Sequence, residues 1–155
     1  MNPEREHKDR KRPASGVLIN PTGPTIVYLT VCTKDRAPCL ANADTHAALV
    51  DAWRQAHAWL VGRYVMMPDH VHLFAGYLDS TVPLGNWVRY WKSLCTKSLG
   101  ERAPKWQAGF WDRRIRSVES YDEKWAYVRG NPVRHGLVGS VDEWPYQGEL
   151  NVLPW

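Results

Sequence analysis

Gly62-Arg63-Tyr64-Val65-Met66-Met67-Pro68-Asp69-His70-Val71-His72-Leu73-Phe74-Ala75-Gly76-Tyr77 is the stretch from which the architecture can be read. Residues 62–67 and 70–77 are dominated by aromatic and aliphatic side chains, and Pro68-Asp69 breaks the run between them. Two strands joined by a tight turn form an antiparallel pair. Side chains alternate along a strand. His70 and His72 therefore share one face of the second strand, while Val71 and Leu73 point the other way into a core.

Working outward, Thr25 to Thr33 is β-branched and aromatic and reads as a strand. Asp44 to Leu60 reads as a helix with Asp44 as its cap, because Leu49, Val50, Trp53, His57 and Leu60 recur at helical spacing. Pro83 to Leu99 is a second amphipathic helix with Leu84, Trp87, Val88, Trp91, Leu94 and Cys95 on its buried stripe. Trp106 to Ser117 reads as an interrupted fourth strand. Ser120 to Gly130 reads as a third helix, with Ser120 and Glu123 in the capping-box pattern and Gly130 and Pro132 ending it. The order β-α-β-β-α-β is the α+β, ferredoxin-like split βαβ arrangement: an antiparallel sheet with helices on one face and an appended C-terminal helix. That architecture hosts many functions and assigns none. From Val133 onward the expectation is an irregular extension packing back on the domain.

The chain has 155 residues, enough for one domain, and 44% are hydrophobic, enough for a real core. Residues 1–24 carry Arg5, Lys8, Arg10, Lys11 and Arg12 among Pro and Gly and read as a flexible basic arm, leaving 25–155 as the domain. The net charge of +4 mildly favours an anionic partner. Nine Trp and seven Tyr against two Phe suit cores near a surface, and surfaces that stack on bases. Three cysteines without a C-x-x-C pair argue against a disulfide framework or a zinc ribbon and make a reducing cytoplasm the default. The sequence shows neither a signal-peptide pattern nor a membrane-spanning run.

Two imidazoles on one strand face can reach one metal ion, though the same spacing also suits two half-buried polar residues. Asp69 reads first as a turn residue and second as a partner that orients one imidazole. On the third helix, Tyr121, Trp125 and Val128 fall within about 60° of one another and form the core stripe. Tyr127 lies about 160° from Trp125, on the side of Lys124 and of Asn131 at i+4. That is not where a packing tyrosine belongs, although an off-stripe tyrosine is often only a surface one. Tyr121, on the stripe, is the rival nucleophile. Asn131 precedes Pro132 and is biased away from helical geometry.

Three runs carry a resemblance: Met67-Pro68-Asp69-His70-Val71-His72-Leu73, the stretch Trp106-Gln107-Ala108-Gly109-Phe110-Trp111-Asp112-Arg113-Arg114-Ile115-Arg116, and Tyr127-Val128-Arg129-Gly130-Asn131-Pro132-Val133-Arg134-His135-Gly136-Leu137-Val138. In this order the chain resembles the REP-associated tyrosine transposases, a bacterial branch of the HUH single-tyrosine transposases, from about residue 26 to about 147. The resemblance implies a metal-dependent single-stranded DNA endonuclease and strand transferase acting beside hairpin repeats. It implies that His70, His72 and Asn131 hold Mg²⁺ or Mn²⁺, and that Tyr127 attacks the phosphate to give a covalent 5′-phosphotyrosine and a free 3′-hydroxyl. It also implies a DNA-bound, nucleoid-associated location within the cytoplasm, and it leaves monomer and helix-exchanged dimer both open. His135 stands where such relatives often have Ala.

The chemistry agrees with that implication. A phenol ionises near pH 10 and is a poor nucleophile at neutrality, and an adjacent metal favours the phenolate. An imidazole and amide-oxygen set suits Mn²⁺ or Mg²⁺ with water ligands, and imidazoles bind Zn²⁺ as well. Arg89, Lys92 and Lys97 on the second helix, the run Arg113, Arg114 and Arg116, and Arg129 and Arg134 beside the tyrosine are the expected DNA contacts. Singly each suits a solvated surface charge. The competing classes are a domesticated module that binds hairpin DNA without cutting it, and a metal hydrolase using activated water.

Overall fold

The computed structural model describes residues 25–77 and 81–153. The basic arm at 1–24 and the final residue Trp155 lie outside that range. The strands are β1 (Ile26–Cys32), β2 (Trp59–Met66), β3 (His70–Tyr77), β4 (Trp111–Ile115) and β5 (Gln147–Glu149), with helices α1 (Ala43–Gln55), α2 (Leu84–Leu99), α3 (Val118–Arg129) and the short α4 (Asn131–Arg134). The strands form one antiparallel sheet in the order β4-β1-β3-β2-β5. Its first four strands have the ferredoxin-like order that the split βαβ pattern requires. Among the described residues, no helix is long and apolar enough to cross a membrane.

The sheet is covered on both faces, so every residue of β1 is buried. On one face Val27, Leu29, Val31, Val71 and Leu73 pack under α1 and α2 with Trp53, Trp87 and Trp91. On the other, Ile26, Tyr28, Val65 and Phe74 pack under α3 and the C-terminal segment with Tyr121, Val128, Trp144 and Leu153. Each fully buried Leu or Val contributes about 1.5–3 kcal/mol. Helix α3 docks by stacking Tyr121 on Phe74, with ring centroids 4.7 Å apart. Arg63 on β2 secures it through Asp122 at 2.8 Å and also reaches Glu149 on β5 at 3.2 Å.

The element ends differ from expectation for local reasons. Helix α1 stops at Gln55 because Ala56 leaves helical geometry and Trp59 and Leu60 already belong to β2. The helical spacing of His57 and Leu60 is a coincidence. Asn42 caps this helix by accepting from the Thr45 N–H at 2.9 Å, while Asp44 sits in the first turn. Helix α3 starts earlier than the capping-box reading places it, capped by Ser117, whose Oγ accepts from the Ser120 N–H. The fourth strand shrinks to Trp111–Ile115, with Trp106 making an isolated bridge to Thr33.

The C-terminal segment is more ordered than an irregular extension. It adds β5 to the β2 edge, and Trp144 Nε1 donates to Met66 O at 2.9 Å. Leu153 fills the space left by two glycines: a Cβ would lie 2.7 Å from it at Gly62 and 2.9 Å at Gly76.

Candidate active site

His70 and His72 are both buried on the α3 side of the sheet. Register fixes their neighbours: Cys32 stands opposite His70, and Thr30 opposite His72. On the far side of β1, Thr30 pairs with Trp111 and Tyr28 with Arg113. One row across the sheet therefore reads His72, Thr30, Trp111, and the next reads Phe74, Tyr28, Arg113.

Each imidazole is held through its Nδ1. Asp69 Oδ1 lies 2.7 Å from His70 Nδ1, and Asp69 Oδ2 accepts from Arg36 Nε at 2.9 Å. Tyr28 Oη and Thr30 Oγ1 lie 2.6 and 3.0 Å from His72 Nδ1, and the Tyr28 and His72 rings stack 18° from parallel. The two Nε2 atoms then converge to 3.1 Å. Two nitrogens on one metal, at about 2.1 Å from it and near a right angle, are about 3 Å apart. An ionised Asp69 draws the His70 proton to Nδ1 and leaves the Nε2 lone pair facing its neighbour. Asp69 thus does both jobs weighed for it, shaping the turn and orienting His70.

Burial would raise the Asp69 carboxyl, but its bonds and charges with His70 and Arg36 outweigh this and bring it down to about 2. Burial holds His70 below the ordinary imidazole value. Asp69 opposes this, and the positive charges of Arg36 and His135 reinforce it. A neutral imidazole near pH 7 is the form a metal needs. The carboxylate gives a pH test. Its folded value is depressed, so its stabilisation is present above about pH 3.9 and lost as pH falls toward about 2. Asp69→Asn is expected to lower unfolding free energy by about 1–2 kcal/mol near neutrality, and the gap to wild type should close between pH 4 and 2. Denaturant titrations of both proteins across that range check it; a gap independent of pH sinks the assignment.

Tyr127 is half-buried against the α3-side core, not on an open surface. Its hydroxyl is buried and has no hydrogen-bond partner among the described residues. The Arg134 guanidinium lies 4.1 Å from its ring centroid and Lys124 Nζ 5.9 Å. A cavity of about 350 Å³ opens beside it, lined by Arg113, Arg114, Arg116, Ser120, Glu123 and Lys124. The rival Tyr121 is buried under Arg63, and burial pushes its phenol up, away from the nucleophilic form.

Helix α3 ends at Arg129 with Gly130 as its cap, as expected, but the chain does not leave helical geometry there: Gly130 is helical and Asn131 opens α4 with Pro132 in its first turn, where a missing N–H costs nothing. Tyr127, Asn131 and His135 stay four residues apart along a nearly continuous helix. Arg134 Nη2 donates to both Tyr127 O (2.6 Å) and Asn131 Oδ1 (2.5 Å). A side chain at Gly130 would collide with this arginine, its Cβ 2.5 Å from Nη1. Asn131 itself is buried. Among the described residues no group of three or more His, Cys, Asp or Glu is arranged for a metal.

The expected DNA contacts separate into groups. Arg113, Arg114 and Arg116 line the tyrosine cavity. Arg129 turns away to Asp142 at 2.5 Å, and Arg134 holds the helix joint. Arg89, Lys92 and Lys97 sit on α2, which packs on the opposite face of the sheet from the histidines. They are therefore not part of one cluster around the His pair. Lys92 Nζ donates to the Gln107 and Gly109 carbonyls. Tyr28, Thr30 and Arg36 escaped the sequence reading. The first two carry a period-two signal that acquires meaning only with the β1–β3 register. Arg36 reaches Asp69 from a left-handed backbone, following Asp35 in the same conformation, at φ 54° and 56°. Nothing in the sequence announces this.

A REP-associated tyrosine transposase of Escherichia coli (strain K12) is 29% identical over 86 residues, which are 56% of this chain and 52% of that protein. The chain resembles this family in sequence. A Haemophilus influenzae (strain ATCC 51907 / DSM 11121 / KW20 / Rd) protein provisionally named for the same family is 28% identical over 94 residues, covering 52% of this chain and 53% of its own length. The chain spans about half the length of these curated relatives. A REP-associated tyrosine transposase solved bound to a REP hairpin shares the fold, with a TM-score of 0.66 at 22% identity over 90% of this chain and 81% of that one. No family model matches the chain.

Proposed function

We propose that this chain is a metal-dependent single-stranded DNA endonuclease and strand transferase that nicks beside a hairpin through a covalent phosphotyrosine on Tyr127. What carries the reading is the pair of Nε2 atoms converging at 3.1 Å, each ring braced through Nδ1, on the sheet face that α3 covers with the tyrosine. The likeness to the REP-associated tyrosine transposases supports it, as does a hairpin-bound protein of the same fold.

His70, His72 and the Asn131 amide oxygen would hold Mg²⁺ or Mn²⁺. The donor set fits, because an amide oxygen has two lone pairs and can accept from Arg134 while serving a cation. When bound, the ion offsets phosphate charge and favours the phenolate. Tyr127 Oη, losing its proton to solvent, attacks phosphorus. The bond to the 3′ oxygen breaks, that oxygen takes a proton, and a 5′-phosphotyrosine remains. The linkage keeps the bond energy, so rejoining to another 3′-hydroxyl needs no nucleoside triphosphate. Arg113, Arg116 and Lys124 around the cavity bind the strand's phosphates, and Arg134 fixes the tyrosine helix.

The test is a denaturing gel of labelled hairpin DNA with Mn²⁺, alongside calorimetric Mn²⁺ binding. Wild type is expected to give a protein–DNA adduct. His70→Ala with His72→Ala should lose Mn²⁺ binding and at least about 10³-fold of the adduct. Adduct at wild-type levels in the double variant ends the metal assignment. Tight hairpin binding without cleavage across several hairpins and metals favours the non-cutting module.

A further inference from the structure

We propose that the cavity between α2 and the Trp106–Phe110 loop is a pocket for one unpaired DNA base, next to the point where the strand is cut. This rests on the reading of the chain as a single-stranded DNA nickase. The cavity measures about 370 Å³, at the small end of ligand pockets and too narrow for a duplex. Trp106 and Phe110 supply aromatic walls, and Gly85 and Val88 supply the helix side. Gly85 lines the cavity beside Phe110 and Arg89: a Cβ there would make ordinary contact with them at 3.9 and 4.0 Å, so a longer side chain at this position would extend into the cavity.

The chemistry suits a nucleotide more than an apolar ligand. Arg89 is exposed at the cavity, donates to the neutral Asn86 amide, and has no carboxylate partner among the described residues. A cavity with two aromatic walls and an exposed guanidinium beside it matches a base and its phosphate. The loop is a built wall, since Lys92 ties its Gln107 and Gly109 carbonyls to α2.

Position links the pocket to the cut. Gln107 N donates to Cys32 O at 2.9 Å, and Cys32 is the strand partner of His70. The loop thus begins two strand spacings, about 10 Å, from the His pair. Trp111, directly after the loop, lies in the row of Thr30 and His72. A strand whose phosphate sits at the histidines can cross Trp111 at the β4 edge and drop its next base into the pocket. This gives Arg89, on the far face from the histidines, a role in the same interaction.

The experiment is abasic scanning. Hairpins with an unpaired flank, each lacking one flank base, are titrated by fluorescence anisotropy into Tyr127→Phe protein without and with Gly85→Leu, which fills the pocket and strengthens the helix. One abasic position should weaken binding about 5- to 150-fold in the parent and have no further effect once the pocket is filled. Arg89→Gln is the second probe and should cost affinity for flanked hairpins but not for blunt ones. Equal abasic losses with and without Gly85→Leu overturn the pocket, and the adduct assay on the same DNA reports separately whether the nickase reading stands. Failure of the parent protein to bind any hairpin overturns both.

Discussion

Tyr127→Phe is expected to abolish the covalent DNA adduct, by at least about 10³-fold, while leaving the protein as stable as wild type or more so. The two halves of this result have separate physical origins. Without the oxygen there is no nucleophile at this position, and the rival Tyr121 does not replace it, because it is stacked on Phe74 under Arg63. On the stability side, the Tyr127 hydroxyl is buried and unpartnered among the described residues. Burying a polar group that makes no hydrogen bond costs free energy, and removing it leaves the ring packing intact. Unfolding free energy should stay level or rise by roughly 1 kcal/mol or less. A buried tyrosine held only for packing would have no reason to keep such an oxygen. Tyr121→Phe is the control and should retain the adduct. Adduct persisting in Tyr127→Phe would move the chemistry elsewhere, and loss of cooperative unfolding would show that the hydroxyl has a structural partner.

Trp91→Ala is expected to cost about 3–5 kcal/mol of folding stability, a large share of the 5–15 kcal/mol typical of a domain. Trp91 is fully buried at the centre of an aromatic layer, with ring centroids 5.9 Å from Trp53, 6.2 Å from Trp87 and 5.6 Å from Trp106, all edge-on. Trp53, Trp87 and Trp106 pack edge-on around it, so its loss leaves a cavity whose cost adds to the transfer term. At about 2–4 °C per kcal/mol for a chain of this size, the midpoint should drop by roughly 6–20 °C. Trp91→Phe should lose less, because the indole N–H is itself buried without an acceptor among the described residues and leaves with the substitution. Thermal unfolding followed by circular dichroism decides it, and a drop under 3 °C for the alanine variant contradicts the packing account. The variant also bears on the base pocket, since Trp106 packs on Trp91.

The sheet and the paired histidines could be read in advance because they depend on alternation along one strand, which survives in a linear string. The stripe of α2 was equally plain, and Trp87 and Trp91 are core residues as their spacing indicated. What depended on three-dimensional register was hidden. Tyr28 and Thr30 become partners of His72 only once β1 is laid antiparallel against β3. Leu60 fits a helical period and a strand equally well, and the strand wins because Trp59 and Val61 are buried beneath the α1–α2 core. Asn131-Pro132 looked like a break because proline restricts the preceding residue, yet the chain stays helical with proline in the first turn of α4. The scatter of Arg89, Lys92 and Lys97 onto the opposite face could not be seen without knowing which side of the sheet α2 covers.

The helix joint at Gly130 constrains how this protein can vary. Gly130 keeps helical φ/ψ between α3 and α4 although its N–H turns to Tyr127 O, so Asn131 follows about one turn after Tyr127 and Arg134 can span both. One residue of helix is about 100° of rotation. A single insertion or deletion between Tyr127 and Asn131 would swing Asn131 and His135 a quarter-turn or more off the tyrosine's side and leave Arg134 with one acceptor instead of two. Homologous chains can therefore differ in the identity of the residues at this joint far more readily than in their number, and an alignment gap placed there would mark a chain whose tyrosine and amide no longer share one side of the helix.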